Sequence, residues 1–295
     1  MGKGSAVSVA LAAICLLCFP AVPGAVETDV FVVRDLTGTL PADRQAALTK
    51  DAREKLDSVL RFYGVGAKVD NLGKIRLEFD EARGGNYSTV FLIVREGNRK
   101  TRVVRIFGVE REPQMVAHKL THSVFISPDK LVRNMMGIPM EVRFGNPLTF
   151  PLCGFSSDEW VEAFRRKQVY VPLSELGPDH EQWGMSTRGG VPVVLNRPRQ
   201  HIMYAEAGSF GDWLLAGYGA EKVKRFWKLS EGGNRPWEEV FGLSLKDLEA
   251  RWLQFLDTKK PGGKRVETLL HLLNRSPKDA CGEAQRLIAS SPAET

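Results

Sequence analysis

The spacing of apolar residues predicts strands and one helix in the first third of the chain. Residues 30–34 alternate between apolar and polar side chains as in a β-strand, and residues 44–63 carry apolar side chains at helical intervals. Three further β-type runs follow, separated by turns rich in glycine and asparagine: residues 74–80, 89–95 and 101–107. This order predicts a small, mostly antiparallel sheet.

The remainder of the chain is predicted to be mainly helical. Residues 110–125 have helical spacing, with Pro113 in the first turn, where a proline is tolerated. From residue 127 to 199 the pattern is mixed, and only residues 158–167 predict a helix, capped by Ser156 or Ser157. Helical spacing returns further along, at residues 210–218, 220–230, 237–241, 245–256, 266–273 and 280–288. We therefore expect an α+β fold.

The first 25 residues have the pattern of a secretory signal peptide. Lys3 is the only charge before Glu27, and a nearly continuous apolar run over residues 6–19 ends at Pro20 and several small residues. The run is shorter than the roughly 20 residues that a membrane-spanning helix needs. We expect an exported protein, periplasmic or secreted, without a transmembrane segment after cleavage; an uncleaved anchor is the alternative.

Composition narrows the class of protein. The chain has 295 residues, of which 43% are hydrophobic and 26% charged, which excludes collagen, coiled-coil and disordered classes. The formal net charge of +6 is scattered along the chain, so nucleic acid is not an expected partner. Export permits a disulfide between Cys153 and Cys281, although their spacing leaves the pairing open.

One segment, His-Lys-Leu-Thr-His at residues 118–122, carries candidate functional residues. Two histidines four residues apart on a helix point the same way and can bind one metal ion. Val116 and Leu120 fall on the opposite side, so we expect one buried face and one face toward a cleft. Two surface or hydrogen-bonded histidines are the alternative interpretation.

Three downstream segments carry a resemblance to a known family. They are VPLSEL at residues 171–176, YAEAGSFGDWL at 204–214 followed by Tyr218-Gly219, and VFGLSLKDLEARWL at 240–253. Together with the histidine segment and the order of elements over residues 30–126, they make the chain resemble the peptidase-MA-like gluzincin zinc peptidases. The resemblance covers roughly residues 30–257 and is most specific in its second half. It implies a gluzincin-like fold, with a small sheet and an active-site helix followed by a helical subdomain.

The sequence pattern and the resemblance together suggest a division of the chain into four parts. They are a signal peptide at residues 1–25, a sheet and helix subdomain at 26–126 that ends with the histidine helix, a helical subdomain at 127–258, and a linker with a carboxyl-terminal helical tail at 259–295.

The resemblance also implies a zinc site. His118 and His122 would be ligands, and the third ligand should be a carboxylate. Glu141 is the best candidate because 18 residues separate it from His122, similar to the separation in the family. Its neighbours depart from the family pattern, in which a glycine follows this glutamate. An exposed charge at the start of a helix is the alternative interpretation of Glu141.

Lys119 is the larger departure from the family. It stands where a glutamate should accept a proton from the zinc-bound water, and an ammonium group has three donors and no acceptor. A lysine with a lowered pKa, or a carboxylate such as Glu206 arriving from another element, would supply a base. Without such a base we expect impaired catalysis.

Three functions are consistent with the sequence. The leading hypothesis is an exported gluzincin-fold pseudoenzyme that binds a peptide or protein partner, and zinc, without cutting; Tyr204 would line its cleft or belong to the core. The second is an active zinc metallopeptidase with an unusual base. The third is a structural envelope protein without metal.

Overall fold

The computed structural model describes residues 26–65, 73–81, 89–111, 113–188, 191–230, 233–259 and 263–290. The signal segment at residues 1–25 and the predicted turn at residues 84–86 lie outside these ranges.

A five-stranded sheet forms one layer of the described chain. Its strands, in the order β1-β2-β3-β5-β4, are β1 (Val26–Glu27), β2 (Phe31–Asp35), β3 (Ile75–Asp80), β4 (Thr89–Glu96) and β5 (Arg99–Phe107). The β2-β3 and β3-β5 pairs are parallel, whereas β1 and β4 pair antiparallel at the edges. The sheet is therefore mixed rather than mostly antiparallel. Helix α1 (Ala42–Phe62) returns the chain across the sheet, so β3 runs in the same direction as β2.

Helices make up most of the remaining structure, which confirms the mixed α+β class. They are α2 (Val116–Val124), α3 (Lys130–Phe144), α4 (Ser157–Arg166), α5 (Arg197–Leu229), α6 (Trp237–Phe241), α7 (Leu245–Lys259), α8 (Lys264–Arg275) and α9 (Ala280–Ser290). A small antiparallel hairpin, β6 (Met185–Arg188) and β7 (Val191–Val194), precedes α5. None of the helices in the described ranges has the length and apolarity needed to span a bilayer.

Helices α3 and α5 differ most from the sequence predictions. Helix α3 was not predicted, because burial of most of its residues removes an amphipathic stripe and Pro139 lies inside it. Its first turn is fixed by Asp129, whose carboxylate accepts hydrogen bonds from the backbone N–H groups of Leu131 and Val132. Helix α5 begins well before residue 210, and Gly219, with φ of 82°, marks a kink where the sequence predicted a break.

Small residues allow α5 to lie directly against α3. A Cβ atom added at Gly211 would stand 2.1 Å from the carbonyl oxygen of Met135, and one added at Gly208 would stand 2.5 Å from Ile138 Cγ2. The backbone of α3 cannot move away without disturbing the core on its other side. Glycine at these two positions therefore sets the distance between the helices that carry much of the candidate site.

The last two helices pack against the rest of the molecule. Cys153 and Cys281 form a disulfide that joins the segment before α4 to α9. Around this disulfide lies a second hydrophobic cluster, made of Cys153, Phe155, Trp160, Ala163, Phe164, Ala205, Val266, Leu269, Leu272, Ala280 and Ala284. The last two helices are thus attached to the rest of the molecule by buried apolar contacts, and by a disulfide from α9 to the segment before α4.

The close packing of α3 and α5 gives a first prediction. We expect Gly211→Ala to lower the free energy of unfolding by about 1–3 kcal/mol, because the new methyl group overlaps the Met135 carbonyl. The matched control is Gly217→Ala, on the same helix, where the added Cβ atom would have no tertiary neighbour within 4 Å. Urea denaturation followed by circular dichroism measures both variants. Equal stability of the two variants would contradict the packing argument.

Candidate functional site

Helix α2, which carries the histidine segment, is buried along its whole length. It packs against β4 and β5 on one side and against α1 and α3 on the others. Val116, Leu120 and Val124 belong to the hydrophobic core, whereas Lys119 and His122 line a cleft. The helix thus has the two faces expected from its sequence. The side toward the cleft is nevertheless almost closed to solvent, since Lys119 is only 7% exposed.

The two histidine side chains meet at their ring nitrogens. Nε2 of His118 lies 2.9 Å from Nε2 of His122, and the Oδ1 atom of Asn134 lies 3.1 Å from the same His118 nitrogen. Asn134 is held in this orientation because its Nδ2 atom donates to the Lys130 carbonyl at 2.7 Å. The rings rest on α3 at Gly137, where a Cβ atom would stand 2.4 Å from His118 Cδ2. The surface form of the alternative interpretation is therefore wrong, whereas its hydrogen-bonded form describes these two histidines.

Glu141 lies near the end of α3 and is fully buried, so the interpretation as an exposed charge at a helix start is also wrong. Its Oε2 atom accepts the backbone N–H of His118 at 2.9 Å, and its Oε1 atom accepts that of Asn146 at 3.0 Å. Helix α2 has no side-chain cap on Met115, so Glu141 satisfies a backbone donor that the start of the helix leaves free. The carboxylate is directed at backbone groups instead of at the histidine rings.

The donor set fits zinc only in part. Two imidazole nitrogens converge, as a zinc site requires, but a catalytic zinc site needs a third protein ligand. The third side chain at the histidine pair is the amide of Asn134, and not the carboxylate of Glu141. Within the ranges that the structure describes, no group of three or more His, Cys, Asp or Glu side chains is arranged to hold a metal ion.

Cationic side chains dominate the cleft, whose volume is about 140 Å³. Lys119 comes from α2, Lys130 and Arg133 come from α3, and Arg197 stands at the rim. None of the described residues that line the cleft is Asp or Glu. The acidic neighbour of Lys130 in the sequence, Asp129, is instead paired with Arg235 at 2.6 Å.

Lys130 is held between aromatic rings. Its Nζ atom donates to the hydroxyl of Tyr204 at 2.9 Å and lies 4.6 Å from the centroid of the same ring. The ring of Trp183 is 5.0 Å from Nζ on another side. Tyr204 therefore lines the cleft, as one of the two interpretations of this residue predicted, and it also packs against Phe150 in the buried interior.

Burial and mutual repulsion shift the protonation of these groups. Burial, followed by the charge of Arg133, lowers the pKa of Lys119 to about 7. Burial first, and then nearby positive groups, hold the pKa values of His118 and His122 well below their usual range. Both imidazoles are therefore neutral near pH 7 and keep a lone pair on one nitrogen each.

Glu206 does not supply a base to this site. Its Oε1 atom accepts the backbone N–H of Val171 at 3.0 Å, and the residue is buried outside the set that lines the cleft. Burial raises the pKa of its carboxyl group well above the usual range. Glu206 is therefore not the carboxylate from another element that the sequence analysis considered as a base.

Several residues of the cleft were missed by the sequence analysis. Lys130, Arg133 and Asn134 follow the three- and four-residue spacing of one helical face. Arg197 and Gln200 precede Tyr204 on one face of α5 in the same way. The polar spacing was present in the sequence, but it could be used only once α3 and the first turns of α5 were recognised as helices.

Comparison with known proteins does not place the chain in a family. No protein-family model matches it, and neither the curated proteins nor the solved structures contain a significant match. The geometry of the cleft therefore carries the functional argument.

The buried carboxyl group of Glu141 gives a second prediction. Burial raises its pKa to about 7, above its ordinary 4.5, so the unfolded chain loses this proton first as the pH rises. We expect the stability of the wild type relative to Glu141→Gln to fall by about 3 kcal/mol between about pH 4.5 and about pH 7, and then to level off. Denaturant titrations of both proteins across this range measure the difference. A difference that stays constant with pH would contradict the raised pKa.

Proposed function

We propose that this protein is an exported, gluzincin-like pseudoenzyme that captures a peptide ligand in its cleft without hydrolysing it. The observation that carries the proposal is the side chain at the position of the general base. That side chain is Lys119, which lines the cleft, and no carboxylate lines the cleft within the described ranges. Proton transfer by a positioned base contributes about 10² to 10⁴ in rate, so its absence leaves little hydrolysis.

The surroundings of the histidine pair support the same proposal. Asn134 provides a neutral amide oxygen where a zinc peptidase has a charged ligand, and Lys130 and Arg133 add positive charge nearby. Positive groups repel a divalent metal ion and so weaken its binding to a site that has no carboxylate ligand. A buried and partly aromatic cleft nevertheless remains suited to holding a ligand.

Peptide hydrolysis tests this function directly. We expect the wild-type protein, with zinc present, to cleave a mixture of fluorescence-quenched peptides no faster than buffer does. His118→Ala is the control for any metal-dependent rate. Zinc-dependent cleavage by the wild type that disappears in His118→Ala would refute the proposal and favour Lys119, with its pKa of about 7, as an unusual base.

Replacing the lysine sharpens this experiment. Lys119→Glu places a carboxylate beside the histidine pair. The double variant, which also carries Asn134→Glu, adds a second carboxylate that can serve as the third metal ligand. We expect any gain of cleavage to need both changes, because each supplies a different missing role. The matched control is Lys222→Glu, an exposed charge reversal outside the cleft.

Zinc binding is a second candidate function, favoured by the convergence of the His118 and His122 nitrogens. Zinc content measured by mass spectrometry on untagged protein tests it, with His122→Ala and Glu141→Gln as variants. If these histidines hold zinc, about one ion per chain is present, His122→Ala loses it, and Glu141→Gln keeps it because the Glu141 carboxylate faces backbone groups. Absence of zinc after incubation with excess metal would leave a metal-free binding cleft.

A further inference from the structure

The buried wall of the cleft offers hydrogen-bond donors that the described chain uses only in part. Lys119 is 7% exposed; its Nζ atom lies 5.9 Å from the centroid of the Tyr204 ring and donates no hydrogen bond to a described group. The Nε atom of Arg133 is also buried without a partner. Lys130 makes one hydrogen bond, to Tyr204. Buried donors of this kind are costly unless a partner completes them.

Charge balance indicates what that partner is. Three basic side chains face the interior of the cleft, and none of them forms an ion pair with a described Asp or Glu. An anion placed among them would replace repulsion between like charges by attraction, in surroundings where charges are weakly screened. Ammonium and guanidinium groups make their strongest hydrogen bonds to carboxylate and phosphate oxygens. A divalent cation would instead be repelled by these basic groups.

Apolar side chains form part of the rest of the cleft lining. They are Val90, Phe91, Met115, Phe150, Met185 and Pro192. A volume of about 140 Å³ is close to the roughly 150 Å³ of an engineered cavity that holds benzene. The cleft therefore encloses a compact group of about that size.

We infer that the cleft binds an organic carboxylate with a compact apolar substituent, through Lys119, Lys130 and Arg133. This inference deepens the proposed function and rests on it, because a peptide carries such a group in its carboxyl-terminal residue. The two lysine ammoniums and the Arg133 guanidinium hold the carboxylate, and the rings of Phe91 and Phe150 contact the substituent. The carboxyl end of a captured chain is thereby bound, with no bond made or broken.

Two probes that differ in one group test the inference. N-acetyl-L-phenylalanine carries the carboxylate, and N-acetyl-L-phenylalaninamide has the same ring with a neutral amide. We expect isothermal titration calorimetry to show at least about tenfold tighter binding of the carboxylate. Equal binding of the two probes, or no binding of the carboxylate up to about 10 mM, would overturn the inference. Binding of inorganic phosphate without binding of the carboxylate would also overturn it.

Lysine variants locate the site. Lys130→Met should weaken binding of the carboxylate at least about tenfold while leaving the weak binding of the amide unchanged. Lys222→Met is the matched control, since this exposed lysine lies 5.5 Å from the ring of Tyr218 as Lys130 lies over Tyr204. Retention of tight binding by Lys130→Met would refute the assignment.

Folding of the variants is checked independently. Lys130→Met should melt at a temperature no lower than the wild type, because a buried cation without an ion-pair partner is replaced by an apolar side chain. Should it melt lower, Lys119→Met must show the same loss of carboxylate binding, or the inference fails. Hydrolysis of peptides by the wild type would refute the proposed function alone, whereas equal affinity for the two probes would refute this inference alone.

Discussion

The start of α2 depends on a carboxylate from another helix. Met115 gives the helix no side-chain cap, and the buried carboxylate of Glu141 accepts the His118 backbone N–H while its other oxygen accepts that of Asn146. One acid thereby fixes α2, the end of α3 and the following turn relative to one another. The positions of His118, Lys119 and His122 follow from this attachment, so the residue expected to bind metal serves mainly to position the residues that face the cleft.

Around that attachment the molecule buries positive charge without matching it. Asp129, which could neutralise Lys130, instead caps α3 and pairs with Arg235. The aromatic faces of Tyr204 and Trp183 stabilise the Lys130 ammonium in part, since a cation over a ring is worth about 2 kcal/mol when it is shielded from water. A site arranged in this way is stabilised by the ligand that completes it, which is typical of binding sites that trade stability for function.

Sequence patterns located several elements whose burial is one-sided. Strand β2 alternates and α1 carries an apolar stripe, so both were located within a few residues of their bounds. Helix α3 was missed because it is buried on nearly all sides and contains Pro139. Missing α3 also hid Asn134 and placed Glu141 at the wrong end of a helix. The cleft joins side chains from α2, α3 and α5, and no local pattern reports such an assembly.

The disulfide closes a loop that contains some of the residues that line the cleft and leaves out others. Cys153 and Cys281 are 128 positions apart, so their bond closes a covalent ring that contains α4 to α8 and ends within α9. Lys119 and Lys130 lie outside this ring, whereas Arg197 and Tyr204 belong to it. The cleft therefore lies between the loop that the disulfide closes and a part of the chain outside that loop. A molecule that contacts both parts links them reversibly, and its binding free energy adds to the stability of the folded protein.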